Sequence, residues 1–131
     1  MSELTCLELS VLLWVAHVLC QAVTVLPELG ITRGAAYMFS PRDTEMVPKG
    51  LVCGRAVRAL ANYVENLVPF IALDLALIIT QHTGGLGATI WILARIVYLP
   101  IYLLGIIYVR TAVWVISIIG LLMMFVRLAG Y

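Results

Sequence analysis

The sequence predicts an all-α membrane protein, a bundle of four transmembrane helices in a single domain that covers residues 1–131. Of these 131 residues, 63% are hydrophobic and only 11% are charged, against roughly 25% charged in an ordinary soluble domain. The mean hydropathy is +1.09. Because one spanning helix needs about 20 apolar residues, four spans and their connections account for nearly the whole chain.

The charge balance and the cysteines exclude several classes of function. Eight basic and seven acidic residues give a net charge of +1, which is too small to hold a nucleic acid backbone, so we expect no nucleic acid partner. Cys6, Cys20 and Cys53 form no CxxC pair and have no nearby histidine at a metal-ligand spacing. We therefore expect neither a metal site nor a disulfide framework.

The first predicted span covers residues 7–26 and ends at Pro27, because a proline ring opposes continuation of a helix. Glu3 and Glu8 stand where a cleaved secretory signal would carry basic residues, so we expect this span to be retained. Residues 27–50 are the only polar stretch, and their prolines and charges predict an aqueous loop with turns.

The other three predicted spans follow at residues 51–80, 88–108 and 111–128, and the last two are joined at Arg110 with almost no loop. The second would be about 45 Å long, against a hydrocarbon core of about 30 Å, so its first turns must protrude. Basic residues gather on the side of the long loop. The positive-inside rule therefore predicts that residues 27–50 are cytoplasmic and that both termini lie outside.

A polar stripe follows the second predicted span. Its members, at successive spacings of 3, 4, 3 and 1, are Arg55, Arg58, Asn62, Glu65 and Asn66. On a helix these positions share a face about 100° wide. Since polar residues inside a span are costly, such a stripe must contact protein or ligand.

The third predicted span carries Arg95, Tyr98 and Tyr102 at spacings of 3 and 4. Counting inward along two antiparallel helices puts Glu65 level with Arg95. Each charge would cost several kcal/mol if it were alone in a low-dielectric interior. We therefore predict a structural ion pair between Glu65 and Arg95, within or between subunits, with direct ligand contact as the alternative.

Four other residues can be interpreted from their positions along the spans. His17 lies at about the depth of Asn62 and is either an interhelical hydrogen-bonding residue or a base. Tyr108 and Trp114 flank a predicted membrane boundary, which is typical of interfacial aromatic residues. Asp74 lies off the polar stripe, where a subunit contact is one interpretation.

Two segments resemble a known family. GRAVRALANYVENLVPF, residues 54–70, resembles the second-helix signature of the MAPEG superfamily, the membrane-associated proteins of eicosanoid and glutathione metabolism. That signature is close to RxxRAxxNxxEN followed by proline and an aromatic residue. ARIVYLPIY, residues 94–102, resembles the tyrosine-bearing third helix. The overall pattern is similar to bacterial-type members that resemble microsomal glutathione transferases.

The resemblance implies a homotrimer in a bacterial inner membrane, with glutathione bound between subunits toward the cytoplasmic side. The residues that it implies as glutathione contacts are Arg58, Asn62, Glu65, Tyr98 and Tyr102. After a shift of one residue, Arg110 resembles the arginine that stabilises the glutathione thiolate, which makes it the candidate catalytic residue. Arg55 joins this set because a doubly carboxylated tripeptide needs several cations. Pro100 departs from the pattern of the mammalian enzymes.

The leading hypothesis is a glutathione-dependent membrane transferase or peroxidase that acts on lipophilic electrophiles or lipid hydroperoxides. A neighbouring guanidinium favours the thiolate, which is the nucleophile. The alternative is a non-catalytic MAPEG-like protein that binds lipids or partner proteins. A small four-span multidrug transporter also suits the length, but it would need a carboxylate in the middle of the first span, where His17 lies.

Overall fold

The computed structural model describes residues 1–41 and 50–130, and nearly all of them are helical. The helices are α1 (Glu3–Leu29), α2 (Ile31–Met38), α3 (Leu51–Ile79), α4 (Gly87–Leu104) and α5 (Ile107–Leu128). All except α2 are long and apolar enough to cross a membrane. The predicted class, an all-α protein with four membrane-spanning helices, is confirmed.

The polar segment after the first span is more helical than the sequence predicted. Helix α1 continues past Pro27 to Leu29, since a proline in the last turn removes only one backbone hydrogen bond. Helix α2 then follows directly and packs against α1. The prediction of a loop with turns was therefore wrong for residues 27–29 and 31–38, which are helical. The aqueous location of this segment stays a prediction, and residues 42–49 lie outside the described part of the chain.

The boundary between the third and fourth spans also differs from the prediction. Helix α4 ends at Leu104, because Gly105 adopts a left-handed conformation with φ of 78° and donates to the carbonyls of Ile101 and Tyr102. Left-handed backbone at this position favours glycine. Arg110 therefore lies in the first turn of α5 rather than at the end of the third span.

The four long helices run alternately up and down. At one end, Glu3 of α1 accepts from the Gly84 N–H, and Arg127 of α5 donates to the Thr83 carbonyl. At the other end, Arg55 of α3 donates to the Leu103 carbonyl of α4. Helix α1 packs mainly on α3, α4 packs on α5, and α3 contacts both α4 and α5.

The core is built on aromatic stacking between α1, α3 and α4. The rings of His17 and Tyr63 stack at 4.4 Å between centroids, and those of Phe70 and Trp91 stack at 3.8 Å. All four side chains are buried. The Tyr63 hydroxyl donates to the Ser10 carbonyl at 2.7 Å, so the stack is also hydrogen-bonded across helices.

Within residues 1–41 and 50–130, His17 does not form the interhelical hydrogen bond that was one of its two interpretations. Its Nδ1 atom lies 2.8 Å from the carbonyl oxygen of Leu13, which belongs to the same helix. A carbonyl can only accept, so Nδ1 is the donor. The contact of His17 with another helix is ring stacking on Tyr63.

Helices α4 and α5 cross at two glycines. A Cβ atom placed on Gly120 would lie 2.8 Å from the Gly87 carbonyl oxygen and 2.9 Å from the Trp91 nitrogen. A Cβ atom on Gly87 would meet the Gly120 carbonyl oxygen at 2.7 Å. Small residues of this kind let two backbones approach closely, which is a common basis of helix packing in membranes.

We expect Gly120→Ala to destabilise the protein by about 1–3 kcal/mol, because the added methyl group would meet backbone atoms that cannot move independently. Chemical unfolding in detergent measures this loss. Gly54→Ala is the matched control, since its Cβ atom would meet only the end of the Arg58 side chain, at 3.3 Å. A Gly120→Ala protein as stable as the control would contradict the close crossing.

Candidate functional site

An open cavity of about 250 Å³ lies between α3, α4 and α5, at the end of the bundle where α4 turns into α5. We call it the tyrosine groove. Its lining residues are Asn62, Tyr98, Tyr102, Arg110, Thr111 and Trp114. Four of these six were candidate site residues in the sequence, and they come from three different helices.

Cations and aromatic rings alternate along the wall of the tyrosine groove. The rings of Tyr98 and Tyr102 lie 5.4 Å apart between centroids. The guanidinium carbon of Arg110 lies 4.9 Å from the Tyr102 centroid, and that of Arg95 lies 5.3 Å from the Tyr98 centroid. Both distances are within the range of cation–π attraction. The half-buried Arg110 is thus held over a ring beside the open cavity.

Arg95 is the positively charged residue beneath this groove, and it is fully buried. Its Nη1 atom donates to Oδ1 of Asn62 at 2.8 Å. Because Arg95 occupies the oxygen of the Asn62 side chain, the amide nitrogen is the group left to face a ligand. The groove therefore offers an N–H donor at this position, suited to a carbonyl or carboxylate oxygen.

The predicted ion pair between Glu65 and Arg95 does not form within the subunit. The Nε and Nη2 atoms of Arg95 have no hydrogen-bond partner within the described residues, and Glu65 is exposed on the outside of α3. Counting residues along α3 and α4 indicates how deep each polar residue lies. It does not determine on which side of the helix the residue lies. Asn62 and Glu65 are three residues apart, so they point about 60° apart, and Asn62 is the one that faces α4.

The other predicted ligand contacts of α3 lie outside the tyrosine groove. Arg55 donates through Nη1 to the Leu103 carbonyl at 3.0 Å, where it satisfies a carbonyl at the end of α4. A Cβ atom on Gly105 would lie 2.5 Å from the Arg55 guanidinium carbon, so this arginine packs directly on the turn. Arg58, like Glu65, is exposed on the outer side of α3.

Thr111 and Trp114 line the groove and were not recognised as site residues from the sequence. Trp114 was interpreted as an interfacial aromatic residue, and Thr111 had no assigned role. Both follow Arg110 on α5, Thr111 by one residue and Trp114 by four. Residues four apart share a helix face, so the spacing between Arg110 and Trp114 could have indicated that Trp114 lies beside the site. The Thr111 hydroxyl donates to the Ile107 carbonyl at 3.1 Å.

Asp74 lies apart from this groove, toward the opposite end of α3. Its side chain is fully buried, and neither carboxylate oxygen has a hydrogen-bond partner within the described residues. A side chain that is fully buried within its own subunit cannot contact a neighbouring one. The interpretation of Asp74 as part of a subunit contact is therefore wrong for this structure.

Comparison with protein-family models gives a match over most of the chain. The model of the MAPEG family matches residues 7–130, which is nearly the whole chain and includes every residue that lines the tyrosine groove. No curated protein and no solved structure matches the chain.

The contact between Arg95 and Asn62 predicts an asymmetry between two substitutions. Asn62→Leu should destabilise the protein by about 3 kcal/mol, because it leaves a buried guanidinium without its hydrogen-bond acceptor. Arg95→Leu should cost less, since the remaining amide can turn toward the groove and be hydrated. The free energies of unfolding of both single variants and of the double variant form a double-mutant cycle. If the two single variants lose equal stability and the losses add in the double variant, the contact is contradicted.

Proposed function

Since the chain belongs to the MAPEG family, we propose that it is a glutathione-dependent transferase or peroxidase acting on lipophilic electrophiles or lipid hydroperoxides. Membership and four spanning helices make it an integral membrane protein with a function related to glutathione or eicosanoid metabolism. One observation carries the finer proposal. Arg110, the candidate activator, shares one open groove with Asn62, Tyr98 and Tyr102.

The groups in the tyrosine groove suit a polar tripeptide thiol. Glutathione brings two carboxylates, two amides and a thiol, so its site needs cations and hydrogen-bond donors that water can reach. Arg110 supplies a guanidinium, Asn62 its free amide N–H and the two tyrosines their hydroxyls. The Thr111 hydroxyl donates to the Ile107 carbonyl, so its oxygen is left to accept. Arg58 and Glu65, exposed on α3, would contact the same ligand from a neighbouring subunit.

In the transferase reaction, the glutathione thiol first loses its proton to water. A free thiol with a pKa near 8.5 is mostly protonated at neutral pH, and the Arg110 guanidinium favours the thiolate. The thiolate then donates an electron pair to the electrophilic carbon and forms a C–S bond. The leaving group departs with the electron pair of the bond that breaks, or an opened epoxide oxygen takes a proton from water.

In the peroxidase reaction, the same thiolate attacks the terminal oxygen of a lipid hydroperoxide. The O–O bond breaks, the alkoxide takes a proton and becomes the alcohol, and glutathione is left as its sulfenic acid. A second glutathione condenses with the sulfenic acid, which gives glutathione disulfide and water. Both reactions use one activated thiolate, and both lipophilic substrates would enter from the bilayer.

The outer face of α3 supports a homotrimer. Arg58, Ala61, Glu65 and Ala72 are exposed and follow one another at spacings of 3, 4 and 7, so they share one side of the helix. Glu65 lies near the middle of the spanning helix and is exposed in the single chain. A carboxylate facing lipid at this depth is costly, and contact with another subunit would remove it from lipid.

The proposed orientation puts residues 27–50 and the tyrosine groove on the cytoplasmic side of a bacterial inner membrane. Arg55, Arg58 and Arg110 adjoin this end of the bundle, as the positive-inside rule requires for a cytoplasmic face. Glutathione from the cytoplasm would then reach the groove without crossing the membrane.

The alternative function is a non-catalytic member of the family that binds lipids or partner proteins. It differs from the enzyme in one measurable property, the formation of a thiolate when glutathione is added. Ultraviolet difference absorbance in the thiolate band distinguishes the two, since a protein that only binds lipid produces no such band.

Arg110→Ala should leave glutathione affinity within about tenfold, because other donors still hold the peptide, but it should raise the pKa of the bound thiol toward its free value near 8.5. The rate with a model electrophile should then fall at pH 7 and recover as the pH rises. The pH profile of turnover, with the thiolate absorbance, measures both effects.

Arg33→Ala is the matched control, since Arg33 is an exposed arginine on α2 far in sequence from the groove, and its profile should equal that of the wild type. If Arg110→Ala keeps the wild-type rate and pH profile, Arg110 is an interfacial anchor. Arg55, Tyr98 or Tyr102 then becomes the candidate activator.

The purified protein should be a trimer, and Glu65→Lys should dissociate it, because the reversed charge would place a cation, shielded from water, against groups that hold a carboxylate in the wild type. Light scattering with the detergent mass subtracted measures the oligomeric state. Glu8→Lys, a charge reversal at an exposed position of α1, should remain trimeric. A monomeric wild type, or a Glu65→Lys protein that stays trimeric, would count against a subunit contact on α3.

A further inference from the structure

A second cavity lies at the end of the bundle opposite the tyrosine groove. It measures about 550 Å³, within the usual range for a small-molecule site. It is bordered by the turn between α3 and α4, by the first residues of α4 and by the last turns of α5. The groove residues that carry the argument are Glu3, Leu77, Ile119, Leu122, Met123 and Arg127. We call this cavity the distal groove.

Two opposite charges lie at the mouth of the distal groove. Oε1 of Glu3 accepts from the Gly84 N–H at 2.7 Å and from the Gly85 N–H at 3.3 Å. Arg127 donates from Nε to the His82 carbonyl at 2.8 Å and from Nη2 to the Thr83 carbonyl at 2.6 Å. The carboxylate and the guanidinium therefore hold the same turn.

Both charged groups can form further hydrogen bonds in addition to those with the turn. Arginine has five N–H donors, and a carboxylate has a second oxygen. Glu3 is only 3% exposed, so it borders the groove from inside rather than pointing into bulk water. The Met1 amino group at this end donates to Oγ1 of Thr89, at 3.2 Å.

The rest of the distal groove is apolar. Leu77 and Met124 form its buried side, while Ile119, Leu122 and Met123 of α5 are open to the outside. From Arg127 back to Ile119 is eight residues, or about 12 Å along the helix. The groove thus has a charged mouth level with the helix ends and an apolar wall that runs toward the middle of the membrane.

This gradient coincides with that of a membrane lipid, because headgroups lie where spanning helices end and acyl chains lie beside their apolar surfaces. The carboxylate of Glu3 and the guanidinium of Arg127 together favour a headgroup that carries both a positive and a negative charge. An anionic headgroup would find the Glu3 carboxylate against it, whereas a zwitterion would find a partner for each of its charges. A primary ammonium can donate three hydrogen bonds, and a quaternary ammonium can donate none.

We propose that the distal groove binds a zwitterionic phospholipid with a primary ammonium, of the phosphatidylethanolamine class. The phosphate pairs with Arg127, the ammonium donates to Glu3, and one acyl chain lies along Ile119, Leu122 and Met123. The bound lipid holds the turn between α3 and α4. This site is independent of the proposed glutathione site, which lies at the other end of the bundle.

The test is native mass spectrometry of the detergent-purified full chain titrated separately with dioleoyl phosphatidylethanolamine, phosphatidylcholine and phosphatidylglycerol. Phosphatidylethanolamine should bind about tenfold more tightly than either of the others. Glu3→Gln should reduce its affinity to that of phosphatidylcholine, because glutamine keeps an oxygen for the turn but loses the charge. Glu8→Gln, at an exposed position of α1, is the control and should bind like the wild type.

A second pair of variants tests the apolar wall and does not depend on the folding of Glu3→Gln. Leu122→Trp fills the groove and should abolish preferential lipid binding. Phe125→Trp, at a similarly exposed position of α5 outside the groove, should retain it. Equal binding of phosphatidylglycerol and phosphatidylethanolamine, or identical behaviour of the two tryptophan variants, overturns the proposal. So does a change of oligomeric state in Leu122→Trp with unchanged lipid binding, which would assign the groove to a subunit contact.

Discussion

The bond between the Arg95 guanidinium and the Asn62 amide joins α3 to α4 inside the membrane-spanning bundle, and the site geometry depends on it. A buried cation in a low-dielectric interior requires acceptors, and Asn62 is the acceptor that the described residues provide. The same bond has two further effects. It sets the direction of the Asn62 amide, and it holds Arg95 against the ring of Tyr98. One contact thus contributes to helix packing and to the wall of the tyrosine groove.

A second constraint is the tight connection between α4 and α5. Gly105 allows the reversal, Arg55 satisfies a carbonyl beside it, and the contact between Gly87 and Gly120 keeps the two helices close over their length. Because the reversal is so short, Arg110 lies in the first turn of α5 with its guanidinium over the ring of Tyr102. The proposed chemistry of the thiolate depends on this placement.

The two ends of the bundle differ in chemistry. The end with the tyrosine groove gathers arginines, tyrosine rings and hydroxyls around an open, partly polar cavity. The opposite end has a larger and mostly apolar groove, whose carboxylate and guanidinium are both bound to one turn. A polar cosubstrate from water suits the first, and a lipid from the bilayer suits the second. The aromatic stack of His17, Tyr63, Trp91 and Phe70 lies between the two and is fully packed.

The class of protein, the number of spans and the family could be predicted from the sequence, because apolar length and the motif of residues 54–70 are local properties of the chain. Helical spacing also placed Asn62 on a polar stripe and put Tyr98 and Tyr102 on one face, and the resemblance to the family added Arg110. Which faces of the helices meet depends on how the helices pack. Counting residues put Glu65 level with Arg95, yet the rotation of α3 brings Asn62 to the arginine and leaves Glu65 outside. The ends of the helices could not be predicted from the sequence either. Gly105 lies within an apolar run, and its positive φ is set by packing between helices rather than by hydropathy.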